Sequence, residues 1–270
     1  MTFTLPRLRP LLAAVALGAV TLAGPATAQD DKTSIRIGVT PGTHEEVMEV
    51  VRDVAAEKGL TIEIVPFTDY VLPNTALADG DLDANSFQHQ PYLDQQVKDR
   101  GFDLRTIAKN FVEPMGIYSE DYQSLADLPE GAQVAIPNDP TNGGRALLLL
   151  EREGVIDLAD GVGLTPSPLD IAENPKALKF TEVDAAQLPR VLPDVAAAAI
   201  NTNYALEAGL NPLEDAVAIE SADSPYANIV VVQGENLDAP WAKTLVEAYH
   251  TDTVRQFILD RFEGAVVPAF

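Results

Sequence analysis

The sequence predicts an α/β protein built as two hinged lobes, and three observations carry that prediction. A strand–helix–strand unit over residues 34–67 calls for a parallel sheet. A second α/β set starts afresh at Gln133. Between the two sets, Phe111–Pro114 and Ser221–Ala227 break the regular pattern and read as crossings. The division that follows places residues 29–112 and 226–270 in lobe I and 113–225 in lobe II.

Residues 1–28 are set apart from the fold. Arg7 and Arg9 make a basic start, Leu11–Leu22 is an apolar run too short to span a bilayer, and Ala26-Thr27-Ala28 supplies small residues for cleavage. This is the pattern of a removable signal peptide, so an exported, periplasmic protein is expected.

The elements then follow in order. Ser34–Val39 alternates, with Ile35, Ile37 and Val39 on one face, as a strand does. Thr43 and Glu46 form a capping-box pattern that opens a helix carrying Val47, Met48, Val51, Val54 and Ala55 at helical spacing, and Gly59 stops it. Thr61–Phe67 is a strand, Leu72–Ala78 a short helix, Leu82–Asn85 a short strand, Pro91–Arg100 a helix and Leu104–Ala108 a strand. In the second set, the strand Gln133–Pro137 leads through an Asn- and Gly-rich turn into a helix over Arg145–Glu151. A Pro-rich connection, Thr165–Pro175, precedes the strand Lys179–Val183, the helix Ala185–Val191 and the strand Val195–Ile200. A short helix Tyr204–Ala208, the strands Ala216–Ile219 and Asn228–Val232, and the helices Ala239–His250 and Thr251–Phe262 close the chain.

Composition narrows the function classes. The chain has 270 residues and a net charge of −23, which argues against DNA, RNA or anionic lipid as partner. A zwitterion suits such a field better than a strongly anionic ligand. With no cysteine, the chain forms no disulfide and carries no thiol for lipid attachment. HExxH, GxSxG and Walker patterns are absent, so neither a catalytic metal nor an enzyme is expected. Asp79, Asp81 and Asp83 lack the closing Glu of a calcium loop and read as a solvated turn.

Two residue groups point to binding. Asn142, Arg145 and Asn201 follow strands, where ligands of open α/β sheets bind. A helix start has unpaired N–H groups and a positive dipole end, Gly143 and Gly144 let a ligand come close, and Arg145 offers a two-point grip on a carboxylate. The carboxamide oxygens of Asn142 and Asn201 are acceptors for an ammonium. Ordinary turn chemistry explains the same asparagines, and spacing alone does not choose. The second group is Tyr70, Phe87, His89 and Tyr92, either an aromatic pocket for an apolar or thioether side chain or a plain core cluster.

Longer motifs add a resemblance. DYVLPN (Asp69–Asn74), DANSFQHQPYLDQQVKDRG (Asp83–Gly101), VAIPNDPTNGGRALLLL (Val134–Leu150), LDIAENPKALKFTEVDAAQLPR (Leu169–Arg190), INTNYA (Ile200–Ala205) and SPYANIVV (Ser224–Val231) run in order along the mature chain. At these motifs the chain resembles the NlpA family, methionine-binding receptors of bacterial ABC importers. The resemblance implies a type II periplasmic-binding-protein fold, with two lobes closing on one amino acid. It assigns ligand contacts to Tyr70, Phe87, His89, Tyr92, Asn142, Arg145, Asn201 and Asn228. The first four form the side-chain pocket, with His89 also reaching the ligand's polar end. Arg145 takes the carboxylate, and Asn201 and Asn228 take the ammonium. The implied partners are methionine or a similar small molecule and an inner-membrane ABC permease with its ATPase, with no cofactor and a monomeric state. Some relatives take dipeptides or other small amino acids. Two departures stand out. The missing cysteine predicts a freely diffusing periplasmic form without a lipid anchor, and Gly143, where relatives carry a bulkier residue, predicts a slightly wider site.

Overall fold

The computed structural model describes residues 32–270, together with residues 1, 2 and 4. The signal peptide expected over 1–28 lies outside the described residues, apart from those three. From residue 32 onward the chain is mixed α/β and two-lobed, with two large sheets.

The first sheet has six strands in the order Val267–Pro268, Leu104–Val112, Ala227–Gln233, Ala84–His89, Ser34–Val39, Thr61–Pro66. Ser34–Val39 pairs in parallel with Thr61–Pro66 and with Ala84–His89, as the strand–helix–strand reading requires. Ala227–Gln233 runs antiparallel to both of its neighbours. The second sheet has five strands in the order Ala216–Ile219, Gly116–Tyr118, Ala197–Ile200, Gln133–Pro137, Lys179–Val183. Gln133–Pro137 is parallel to its neighbours, and Gly116–Tyr118 is antiparallel to its own. The sheets are therefore mixed rather than purely parallel. The antiparallel pairings involve the strands flanking the crossings: the chain leaves by Leu104–Val112, enters by Gly116–Tyr118 and returns from Ala216–Ile219 into Ala227–Gln233.

Each large sheet is covered on both faces, and strand alternation sorts its residues. Ile35, Ile37 and Val39 pack under Val47, Met48 and Val51 of the helix Thr43–Glu57, and under Leu245 and Ile258 of the two closing helices. The opposite face buries Leu77, Leu93, Leu104, Ile229 and Val231. In the second sheet, Val134, Ile136, Ala197 and Ala199 face Leu147 and Leu150, whereas Ala135, Ala198 and Ile200 face Leu188, Leu192 and Tyr204.

Several local expectations shift for identifiable reasons. Thr43 is the first residue of its helix rather than its cap; Gly42 occupies the cap at φ 74°, and no side chain caps it. Glu46 pairs instead with Arg261. The third strand of the chain runs Ala84–His89, four residues beyond the expected end, which carries Phe87 and His89 into the sheet. The helix after Gln133–Pro137 spans Pro140–Arg152, not Arg145–Glu151. Asp139 is its N-cap and Pro140 its first residue, a pair suited to starting a helix. Asn142, Gly143 and Gly144 are therefore helical. The short strand Gly116–Tyr118 was not anticipated, because three residues carry too little periodicity to read.

Candidate functional site

All eight residues singled out from the sequence line one cleft, together with Gln88, Glu113, Thr202 and Asn203. The cleft holds ≈ 340 Å³, counting all space between atoms out to its mouth. Strand ends build it. Asn228 and His89 are register partners in the first sheet. Val112 pairs with Ala227, so Glu113 leaves that sheet beside them. Asn201 directly follows the strand Ala197–Ile200, and Asn142 sits one turn into the helix that follows Gln133–Pro137.

The apolar wall is a triangle of rings. Tyr70, Phe87 and Tyr92 have centroids 6.0, 6.1 and 6.2 Å apart, with Tyr92 edge-on to the other two. Both phenols are engaged by protein. Tyr92 donates to the Tyr70 carbonyl at 2.9 Å, and Tyr70 donates to Asn203 Oδ1 at 2.6 Å. Burial pushes both hydroxyls well above the usual phenol range, which keeps them protonated as donors. The wall thus offers ring surface with its polar tips already satisfied.

His89 lines the cleft and also serves the protein's own hydrogen-bond network. Its Nδ1 accepts from the Tyr92 N–H at 3.1 Å, capping the helix Gln90–Arg100. That acceptor role leaves the hydrogen on Nε2, which donates to Asn142 Oδ1 at 3.2 Å. Burial, and secondarily the Arg145 charge, push the imidazole down to about 3, while the bond to Asn142 acts in the opposite direction. A ligand carboxylate reaches this N–H only in competition with Asn142.

Asn142 is the hub of the polar wall, and both lone pairs of its carboxamide oxygen are taken. Its Oδ1 also accepts from Asn201 Nδ2 at 2.9 Å, and its Nδ2 donates to Asp139 Oδ2 at 2.9 Å. The expected anion site at this helix start is likewise filled. Asp139 Oδ1 accepts from the N–H groups of Thr141 and Asn142 at 3.2 and 2.9 Å, so the protein's own carboxylate neutralises that end. The glycines serve packing instead of ligand approach. A Cβ at Gly143 would stand 2.7 Å from the Pro137 carbonyl oxygen, and one at Gly144 would stand 2.8 Å from Leu164, Thr165 and Pro166 atoms. The wider site expected at Gly143 is therefore corrected: the missing side chain makes room for the preceding strand, not for the cleft.

Arg145 is 3% exposed, and much of its fork is occupied. Nε and Nη2 bind Glu220, Nη2 also binds the Glu113 carbonyl at 2.8 Å, and the guanidinium lies 4.4 Å from the Tyr226 ring centroid. Among the described residues, no group bonds Nη1. The grip available to a ligand is thus through Nη1, because Glu220 already takes the two-point edge of the fork.

Polar atoms without protein partners define what the cleft would accept. Among the described residues, Glu113 Oε1 and Asn201 Oδ1 are buried acceptors with no donor, and Asn203 Nδ2 is a buried donor with no acceptor. Asn228 donates to Glu113 Oε2 at 2.8 Å, and no described residue donates to its own Oδ1. The carboxyl and carboxamide oxygens of Glu113, Asn201 and Asn228 suit an ammonium, while Arg145 Nη1 and Asn203 Nδ2 suit a carboxylate. Sequence reasoning missed Glu113, Asn203 and Glu220. One signal was present: Glu113 is a lone acid inside the apolar crossing Phe111-Val112-Glu113-Pro114-Met115.

Comparison with known proteins follows the same line. A family model described as NlpA lipoprotein matches residues 35–270. The D-methionine-binding lipoprotein MetQ of Salmonella typhimurium is 51% identical over 254 residues, covering 93% of this chain and 94% of that protein. A nutrient binding protein from Burkholderia cenocepacia, solved bound to methionine, superposes with a TM-score of 0.86 at 54% identity, covering 87% of this chain and all of that one. A periplasmic substrate-binding protein of an ABC transporter from Coxiella burnetii gives 0.84 at 47% identity, with 87% and 100% coverage.

These relatives correct one expectation. The matched family and MetQ are both named lipoproteins, which overturns the reading of a freely diffusing, unanchored periplasmic protein.

Proposed function

The chain belongs to the NlpA lipoprotein family, and we propose that it is a receptor that captures methionine between its lobes and delivers it to an ABC importer. It is a binding protein, not an enzyme, as its substrate-binding relatives are. The observation that carries the methionine reading is the pairing of two unlike walls in one cleft. A triangle of aromatic rings with satisfied hydroxyls stands against acceptors and donors that lack partners among the described residues. An α-amino acid supplies the missing polar groups, and an unbranched thioether suits the rings.

In this reading Tyr70, Phe87 and Tyr92 hold the side chain, and His89 with Asn142 forms the rigid floor. Arg145 takes the carboxylate, and Asn201 and Asn228 take the ammonium. Residues 29–112 with 226–270 and residues 113–225 act as the two lobes, moving about the crossings. Ligand binding favours the closed shape, which an inner-membrane permease with its ATPase then recognises. The receptor works as a monomer and is exported by the leader over residues 1–28. Mass spectrometry of small molecules released from the purified, denatured protein tests the proposal. Methionine is the expected species, and a different, stoichiometric ligand overturns it.

A further inference from the structure

Resting on the methionine reading, we propose that Glu113 makes a free α-ammonium obligatory in the ligand, and that His44 is the residue that positions Glu113 for this. Glu113 leaves the first sheet at the crossing, is 7% exposed and lines the cleft. Its two oxygens differ. Oε2 is held by Asn228 Nδ2 at 2.8 Å and by His44 Nε2 at 3.1 Å. Oε1 is buried and has no partner among the described residues. A buried acceptor of this kind is costly unless something binds it. Arg145 does not answer it, because its contact with Glu113 is to the backbone carbonyl and its charge is matched by Glu220. A primary ammonium supplies both an N–H donor and the opposite charge. A hydroxyl supplies the donor alone.

His44 lies outside the cleft lining, so its influence is indirect. It is 1% exposed in the first turn of the helix Thr43–Glu57, with its ring 4.8 Å from Phe111. Held there by packing, it fixes one carboxylate oxygen and thereby aims the other. Asn228, on the neighbouring strand, completes the clamp.

The experiment is calorimetric titration of ligand-stripped protein with methionine and with its α-hydroxy analogue, 2-hydroxy-4-(methylthio)butanoate. The wild-type chain is expected to prefer methionine by at least roughly 10–100-fold, the range of a charge-assisted hydrogen bond. Glu113→Gln, which keeps the shape, is expected to weaken methionine by a similar factor and the hydroxy acid by less, so that the preference narrows. His44→Gln is expected to lower the same ratio by a smaller factor, which a merely structural role would not do. A wild-type chain that binds the hydroxy acid as tightly as methionine overturns the proposal, whether or not the variants fold. Equal weakening of both ligands in Glu113→Gln also overturns it, and an unchanged ratio in His44→Gln removes His44 from it. In each of those cases methionine binding by the wild type leaves the receptor reading intact. Failure of the wild type to bind methionine overturns both.

Discussion

The guanidinium of Arg145 and the carboxylate of Glu220 form a buried ion pair, with Nη2 2.5 Å from Oε2 and Nε 3.1 and 3.0 Å from the two oxygens. Glu220 belongs to the segment returning to the first sheet, and the Glu113 carbonyl bound by Arg145 belongs to the outgoing one. The Glu220 N–H also donates to the Met115 carbonyl at 2.9 Å, and the Met115 N–H donates to Glu220 Oε2 at 3.3 Å. One side chain therefore ties both crossings to the helix Pro140–Arg152 while leaving Nη1 unbonded by any described residue.

Arg145→Ala should accordingly cost stability as well as binding. Removing one member of a buried pair strands the other, at a typical cost of about 3–5 kcal/mol. Arg145→Lys should not restore either property, because a single ammonium cannot reproduce the fork. Urea unfolding and calorimetric titration of the two variants measure both effects. Normal stability with lost binding would mean that Glu220 finds other donors.

The ring triangle should prefer methionine to glutamine. The thioether gains about 0.3–1.5 kcal/mol per aromatic contact. The glutamine amide loses water beside rings whose hydroxyls are already bonded to protein, at roughly 1–3 kcal/mol. The sum corresponds to at least about tenfold in affinity, with norleucine intermediate. A competition series on ligand-stripped protein measures the order, and equal affinity for glutamine would contradict the pocket assignment.

His89 should make stability pH-dependent. Its folded-state value of about 3 lies below the ordinary 6.5, so between those values the unfolded chain binds the extra proton. Its contribution is complete above pH 6.5 and is lost as pH falls toward 3, at about 1.4 kcal/mol per pH unit. His89→Asn keeps a side-chain acceptor at the helix cap and removes the titration. Between pH 6.5 and 5 the wild type should lose about 2 kcal/mol more than the variant in urea unfolding. Parallel losses in both proteins would refute the buried imidazole.

Gly144→Ala should destabilise without altering specificity. The added carbon would meet backbone and proline atoms at 2.8 Å in the 164–166 segment, outside the cleft lining. Overpacking of this kind costs typically about 1–3 kcal/mol. Thermal unfolding should show the loss, and the methionine-to-norleucine affinity ratio should remain that of the wild type. A changed ratio would place the helix start in contact with ligand.

The sequence by itself determined the α/β class and the two sets of elements, and it singled out the aromatic and Asn/Arg positions that only the structure gathers at one cleft. Those signals are local: period-2 alternation in Ser34–Val39, helical spacing in Thr43–Glu57, and turn residues between them. Tertiary structure decided which polar atoms remain free. Glu220 meets Arg145 across 75 residues, Asn228 meets Glu113 across 115, and Tyr70 meets Asn203 across 133. No spacing rule reaches that far. Arg145 and Asn142 were visible as polar residues beside a strand end, but their partners were not. From sequence the fork reads as open, yet Glu220 fills it, and the carboxamide reads as an ammonium acceptor, yet His89 and Asn201 take its oxygen. Buried polar groups seek partners wherever the fold brings them, so the atoms left for a ligand are fixed only once every other pairing is made.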